Sequence, residues 1–272
     1  VNAGAENEQA VGGAPAPASA LSPAGSGSTA PLLSLSGVHT HIGAYHILHG
    51  VDLDVPAGQT TLLLGRNGAG KTTTLRTIMG LWTASAGSVR FGGADITRSA
   101  TPDIARRGIA YVPENMGIFS DLTVRENLLL AARGARDADA IDAERLRWIE
   151  ALFPAMKKFR DHPAGLLSGG QKQMLAVSRA IVEPRELILI DEPSKGLAPS
   201  IIRNMLDAFR QLKAAGATLL LVEQNFAFAR ELGDSVAVME DGRIVHRGAM
   251  AALAADEALQ QRLLGLSLGA HQ

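Results

Sequence analysis

The sequence predicts an α/β domain built on a parallel sheet, with a lobe of helices inserted into it. Three observations predict it. Strand-like and helix-like segments alternate along most of the chain, the pattern of βαβ units. The segment 187–190, Leu-Ile-Leu-Ile, is uniformly apolar, as a parallel strand covered on both faces must be. A glycine-rich stretch, 65–72, stands between a short apolar strand and a helix.

Taken in order, residues 1–31 read as a disordered tail. Ala, Gly, Pro and Ser fill most of it and no aromatic residue occurs, so it cannot bury enough surface to offset its ordering entropy. It also lacks the basic start and apolar run of a signal peptide. The folded body is expected over 32–272. Val51, Leu53 and Val55 alternate with Asp52 and Asp54, which predicts a half-exposed strand. Pro56-Ala57-Gly58 turns the chain into a short buried strand, 61–64. A helix is expected over 71–81, then strands at 89–91 and 109–112. Thr123-x-x-Glu126 forms a capping box that opens a helix reaching about Ala132. Two more helices are expected over 143–158 and 170–182, and these place the helical lobe at about 115–183. After strand 187–190 come a helix (200–214), a strand (217–222), a helix (225–232) and two strands joined at Asp241-Gly242, a hairpin signal.

Composition excludes several functions. Lys and Arg number 26 against 27 Asp and Glu, a net charge of −1 over 272 residues. That balance lacks the basic excess of a protein that lives on phosphate backbone, so no nucleic-acid partner is expected. Without cysteine, a disulfide scaffold and a thiolate zinc site are excluded. No apolar run approaches the ~18–20 residues that cross a bilayer.

The residues Gly65-Arg66-Asn67-Gly68-Ala69-Gly70-Lys71-Thr72 fit G-x4-G-K-[ST]. Glycines let successive backbone N–H groups turn inward toward phosphate oxygens, and the helix N-terminus adds its positive dipole end. Lys71 is placed to reach β- and γ-phosphates and the Thr72 hydroxyl to ligate Mg2+. The chain's own residue frequencies give roughly 0.007 chance matches to this motif. Asp191-Glu192 ends the apolar strand, where a carboxylate near Mg2+ belongs, and Glu192 could polarise a water for attack on the γ-phosphate. Leu167-Ser168-Gly169-Gly170-Gln171 opens a helix with small residues and a hydroxyl, a second anion site. Two phosphate sites per chain make sense if two chains lie head to tail, each nucleotide held by one chain's loop and the other's Ser168 turn.

G-x4-G-K-T, LSGGQ and an apolar strand ending in Asp-Glu, in this order, resemble the ATP-binding subunits of ABC transporters. GRNGAGKTT, GIAYVPEN followed by LTVRENL, DEPSKGLAP and LLVEQN look like the ATPases of branched-chain amino acid importers within that superfamily. The resemblance covers about 32–272. It implies a P-loop NTPase with a RecA-like core, an antiparallel β subdomain built from residues before the phosphate loop and around 87–96, and a helical lobe carrying LSGGQ. It implies ATP and Mg2+, a second ATPase subunit in a homodimer or heterodimer, transmembrane permease subunits, and a solute-binding protein met through the permease. The expected location is peripheral, on the cytoplasmic face of the inner membrane. Urea and short-chain amide importers are the nearest alternative solute classes, and a soluble non-transport ABC ATPase is the alternative outside transport.

Three departures from the superfamily pattern carry over residue by residue. Glu114 stands where most members have Gln, and is expected to reach Mg2+ through water. Gln224 replaces the usual His and can donate to a γ-phosphate oxygen without titrating. Ala198 replaces a common Asp. The aromatic that stacks on adenine would fall near Ile42, and Tyr45 is the nearby substitute. Thr73 completes the nucleotide loop. Lys195 reads as an exposed residue at the dimer seam. His39, His41, His46 and His49 lie within eleven residues but have no carboxylate at ligand spacing, and read as solvated strand histidines.

Overall fold

The computed structural model describes residues 30–132 and 141–265. The tail expected over 1–31 lies outside them but for its last two residues. The chain opens with a hairpin, β1 (Leu33–Ile42) and β2 (Tyr45–Val55), and β3 (Thr60–Leu64) then leads through the glycine-rich loop into α1 (Lys71–Ile78). Strands β4 (Ala84–Phe91) and β5 (Ala94–Asp95) follow, then α2 (Thr101–Arg106) and β6 (Ile109–Val112). A helical stretch comes next: α3 (Val124–Ala131), α4 (Ala143–Leu152), α5 (Pro154–Lys158), a 3-10 turn at Ala164–Leu166, and α6 (Gly169–Ile181). The last third alternates as β7 (Leu187–Asp191), α7 (Pro199–Ala214), β8 (Leu219–Glu223), α8 (Phe226–Arg230), β9 (Ser235–Glu240) and β10 (Arg243–Ala249), closing with α9 (Met250–Ala255) and α10 (Glu257–Leu264).

Two sheets result. One is four-stranded and antiparallel, in the order β2-β1-β4-β5. The other has the order β10-β9-β3-β8-β7-β6, with parallel neighbours from β9 to β6 and β10 antiparallel at the edge. Alternation along the inner strands explains their unbroken apolar runs. Leu62, Leu64, Ile188, Ile190, Leu219 and Leu221 share one core with Leu175 of α6 and Phe209 of α7. Leu63, Leu187, Leu189, Leu220 and Val222 turn the other way, toward Leu75 of α1 and the antiparallel sheet's Leu53 and Val89. Both faces are covered, so neither can be polar.

Several boundaries differ from the sequence expectation. The helix expected over 143–158 is two helices, because Pro154 offers no N–H and pushes Phe153 out of the helical region, to φ −133° and ψ 81°. The helix expected over 71–81 stops at Ile78, and β4 starts five residues before the expected 89. Helices α9 and α10 were not expected. They are short, and only Met250 and Leu253 among their residues are buried, too little for a clear period.

Register decides where chemistry can gather. Leu64 pairs with Glu223, and Asp191 pairs with Val222. The carboxyl ends of β3, β7 and β8 therefore lie side by side, and the three segments leaving them meet at one edge of the sheet.

Candidate functional site

The glycine-rich loop leaves β3 under tight steric limits. Gly65 has φ +152°, and a Cβ there would sit 2.3 Å from the Met239 carbonyl oxygen, so no larger residue fits. The loop is braced from the far end of the chain. The Gly242 amide donates to Ala69 O at 2.9 Å, and His49 N donates to Gly242 O at 2.9 Å. Gly242 has φ +72°, and a Cβ on it would lie 2.0 Å from Ile47 O. The hairpin turn Asp241-Gly242 thus also supports the loop. Within the loop Arg66, Asn67 and Gly68 are exposed, Ala69 and Gly70 are buried, and Thr73 is half-buried on α1.

Lys71 starts α1 and is 4% exposed. Its Nζ donates to Gly65 O at 2.9 Å and Arg66 O at 3.0 Å, and lies 3.7 Å from Glu192 Oε1. Burial lowers its pKa from the ordinary lysine value, against the opposing pull of the Glu192 and Asp191 charges. The neighbouring Thr72 hydroxyl donates to Asp191 Oδ1 at 3.1 Å, and the Tyr111 hydroxyl donates to Asp191 Oδ2 at 3.4 Å. Asp191 is fully buried. That burial raises its pKa, with the Thr72 hydrogen bond working the other way. The Tyr111 phenol is pushed up to about 12 by burial and by the Asp191 charge. A hydroxyl and a carboxylate this close form a hard oxygen pair of the kind Mg2+ takes, the ion keeping other positions for water and phosphate oxygens. Among the described residues no group of three or more His, Cys, Asp or Glu side chains could hold a metal ion.

Glu192 sits at φ +50°, a left-handed conformation that costs a residue with a Cβ about 1–2 kcal/mol. The turn brings its carboxylate past the end of β8 to within 3.7 Å of Lys71 Nζ. Gln224 Nε2 donates both to Glu192 Oε1 and to Asn67 Oδ1. Gln224, Glu192 and the phosphate loop, far apart in sequence, are therefore in contact. On the other oxygen, Lys195 Nζ lies 3.2 Å from Glu192 Oε2 and 2.5 Å from Glu114 Oε1. Its hydrogen bonds to the Glu114 and Glu192 carboxylates raise the Lys195 pKa. Lys195 is exposed, as the sequence suggests, but its bridge between two acidic groups is not visible in any spacing.

Other expected residues lie apart. Ser168 caps α6: its Oγ accepts from Gln171 N at 3.3 Å, while Gln171 Oε1 accepts from Ser168 N at 2.9 Å. Gly169 borders open space, whereas a Cβ on Gly170 would lie 2.6 Å from Ile201 of α7. The recess of about 290 Å³ beside the phosphate loop is lined by Gly65, Arg66, Asn67, Glu223, Gln224 and their neighbours, with nothing from 168–171. Tyr45 is 76% exposed at the hairpin end, paired with Ile42. The four histidines gather on the same hairpin, His46 stacking on His39 and His41 and lying tilted against His49, with His39 Nδ1 3.0 Å from His46 Nε2.

Sequence reasoning missed Tyr111 and Glu223. Glu223 closes the apolar strand β8 as Asp191 closes β7, and that parallel was the available signal. It is 1% exposed, and its carboxylate accepts from Ser194 N at 3.0 Å, Gln224 N at 3.1 Å and Asn225 N at 3.2 Å.

Known proteins resemble this chain in sequence and fold. A family model described as ABC transporter matches residues 48–195. The high-affinity branched-chain amino acid transport ATP-binding protein BraG of Pseudomonas aeruginosa is 40% identical over 234 residues, covering 86% of this chain and 100% of that protein. The crystal structure of the ADP conformation of an ATP-binding cassette of an ABC transporter has a TM-score of 0.72 at 27% identity, over 88% of this chain and 100% of that one. A dimeric cassette in a post-hydrolysis state, bound to ADP and phosphate, has a TM-score of 0.69 at 25% identity, over 80% and 98% of the two chains. Motif order, two-sheet architecture and full-length similarity agree: this chain belongs to the ABC transporter ATP-binding family and is an ATPase.

Proposed function

We propose that this chain is the ATP-hydrolysing subunit of an importer for branched-chain amino acids. It would form one ATPase unit over 32–272 with 115–183 as its helical lobe, and act at the cytoplasmic face of the membrane on a separate permease. The observation that carries the hydrolytic part is the meeting of Lys71, Asp191, Glu192 and Gln224 at the ends of β3, β7 and β8. The solute class rests on the full-length similarity to BraG.

In this reading the loop amides of 65–70 and Lys71 bind the β- and γ-phosphates, with Thr73 at the loop's end. Glu192 takes a proton from the water that attacks the γ-phosphorus. The bond from that phosphorus to the β-bridging oxygen breaks, leaving ADP and inorganic phosphate. Gln224 donates to a γ-phosphate oxygen and tells the loop whether that oxygen is present. Thr72 and Asp191 would hold Mg2+, with Glu114 reaching it through water, and the ion would screen the phosphate charge. Ser168 to Gln171 serve the nucleotide of a second ATPase subunit. This fits their lying outside the lining of the recess beside the chain's own loop and a hydroxyl that accepts within its cap while keeping its proton to donate. Adenine would rest against the hairpin end near Tyr45.

The permease would dock in the cleft of about 750 Å³ lined by Tyr111, Asn115, Gly117, Arg76 and Arg179. A solute-binding protein would meet the chain only through that permease. Among the described residues no helix is long and apolar enough to cross a membrane, which is consistent with a peripheral subunit.

Glu192→Gln tests the site. The variant should bind Mg-ATP, accumulate an ATP-bound dimer on sizing, and lose about 100-fold or more in turnover. A monomer that hydrolyses at the parent rate would falsify the assignment. Uptake of leucine, isoleucine or valine into vesicles carrying the permease tests the solute.

A further inference from the structure

We propose that Glu223 is a positioning residue that holds Glu192 and Gln224 in working alignment. The idea rests on the hydrolytic roles given to those two residues above. Its basis is a single buried carboxylate that ties together the two turns bearing them. One oxygen of Glu223 accepts from Ser194 N at 3.0 Å, and the other accepts from Gln224 N at 3.1 Å and Asn225 N at 3.2 Å.

Each turn needs such a tie. The turn after β7 holds Glu192 in a left-handed conformation, at φ +50°. Glu192 N still completes the sheet by donating to Val222 O at 2.9 Å, but beyond it the backbone has only the Lys195 N to Glu192 O bond at 3.2 Å and the Leu197 N to Ser194 O bond at 3.3 Å. Pro193 has no amide to offer. Ser194 N is thus the first donor past the strained residue, and Glu223 takes it. The turn after β8 puts Gln224 where its side chain reaches both Glu192 and Asn67. Glu223 takes the first two amides of that turn. The side chains of Glu192 and Gln224 touch, and their backbones are fastened to the same carboxylate.

A carboxylate is the group for this task. Three N–H donors converge on two oxygens, and only an acceptor on both arms satisfies them. Burial pushes the Glu223 carboxyl above the ordinary glutamate value, while the bonds from Ser194, Gln224 and Asn225 pull it back. An amide of the same shape must aim its NH2 at one of the donors, releasing either the Glu192 turn or the Gln224 turn. The Glu223 carboxylate spends its hydrogen bonds on Ser194, Gln224 and Asn225 rather than on the phosphate loop, so its effect should fall on turnover and spare binding.

The test uses the full chain with Glu223→Gln and, as a second variant, Glu223→Asp, which keeps the charge but shortens the reach. In Glu223→Gln, kcat for Mg-ATP should fall about tenfold or more, with KM and the directly titrated Mg-ATP affinity within about twofold of the parent. Hydrogen exchange should quicken in peptides covering 192–196 and 223–226 and stay unchanged over the phosphate loop, 65–72. Glu223→Asp should show the same local pattern with a smaller loss. Unchanged kcat, or an affinity that falls in step with kcat, would overturn the proposal. So would loss of protection throughout the chain in both variants, which would make Glu223 a residue of the fold alone. If Glu192→Gln is inactive while Glu223→Gln is normal, the positioning role fails and the hydrolytic reading stands. If Glu192→Gln hydrolyses normally, that reading fails first.

Discussion

Lys71 carries a charge that burial disfavours, and it keeps it only because polar partners surround it. Its ammonium is 4% exposed and bonds two loop carbonyls, with Glu192 3.7 Å away. Phosphate oxygens offer that ammonium stronger, charge-assisted bonds than carbonyls do. Removing it as Lys71→Ala should weaken Mg-ATP binding about 10- to 100-fold, the equivalent of ~1.5–3 kcal/mol for a hydrogen bond to a charged group. Titration calorimetry or a fluorescent nucleotide reads this, and unchanged affinity would remove the phosphate-loop assignment. Lys71, Thr72, Asp191 and Glu192 were legible as candidates because each belongs to a short run whose chemistry is local. The link from Gln224 to Asn67 spans 157 residues, and the Lys195 to Glu114 bridge spans 81. No spacing along the chain encodes such contacts, since they arise when strand order brings β3, β7 and β8 together. Glu223 escaped notice for a different reason. It works through backbone amides, which leave no mark on the partner residues' identities.

At the scale of elements, helix starts were the most readable features, because a capping box is complete within four residues. Thr123 N and Oγ1 donate to Glu126 Oε2 at 2.7 and 2.8 Å, and Thr123 Oγ1 accepts from Glu126 N at 3.1 Å. Thr123→Ala should destabilise the fold by about 1 kcal/mol, lowering Tm by about 2–4 °C in a domain of this size. The backbone and side-chain bonds from Thr123 hold the Glu126 carboxyl below its usual value of 4.5. A depressed folded pKa stabilises fully above the unfolded value, and that contribution is lost as pH falls through the folded one. The Tm gap between parent and Thr123→Ala should therefore be constant near neutrality and narrow below about pH 4. A gap that is flat into acid would show that the Thr123 hydroxyl does not help to hold the Glu126 carboxylate. The box at Ser168 and Gln171 has the same local logic and, in the proposed function, a second use. Ser168→Arg should leave α6 folded and Mg-ATP bound, yet block ATP-driven dimer formation and hydrolysis. Mixing it with Lys71→Ala separates sites built from two chains from sites built within one, and independent, additive losses would count against the shared site. What stayed unreadable at this scale was also physical. Pro154 splits a helix whose apolar period runs straight through it, and α9 and α10 bury too few side chains to show a face.

The molecule as a whole places its hydrolytic edge and the cleft of about 750 Å³ on connected segments. Strand β6 ends at Val112 and leads into Glu114, which Lys195 ties to Glu192. The same segment lines the cleft through Asn115, Met116 and Gly117 and runs on to Phe119, which packs against Arg179 of the cleft wall. There the main chain is fixed from within. Asn127 is fully buried, its Oδ1 accepts from Phe119 N at 2.9 Å, and its Nδ2 donates to Phe119 O at 2.9 Å. The ring itself is 49% exposed, with the Arg179 guanidinium 5.1 Å from its centroid. Changing this side chain therefore alters what a docked partner meets while leaving the loop in place. Phe119→Asp removes apolar area from the contact and sets a carboxylate beside Arg179. If a permease helix seats in this cleft, the variant should cut amino acid uptake about tenfold or more, because a buried aromatic anchor contributes ~2 kcal/mol or more to such an interface. Basal phosphate release by the isolated chain should stay within about twofold, since Lys71, Glu192 and Gln224 are untouched. Uptake into vesicles and phosphate release are to be measured on the same preparation. A parallel fall in both would mean the loop serves hydrolysis directly. Unchanged uptake would put the docking surface elsewhere and leave the path from Glu192 through Lys195 and Glu114 without a partner to move.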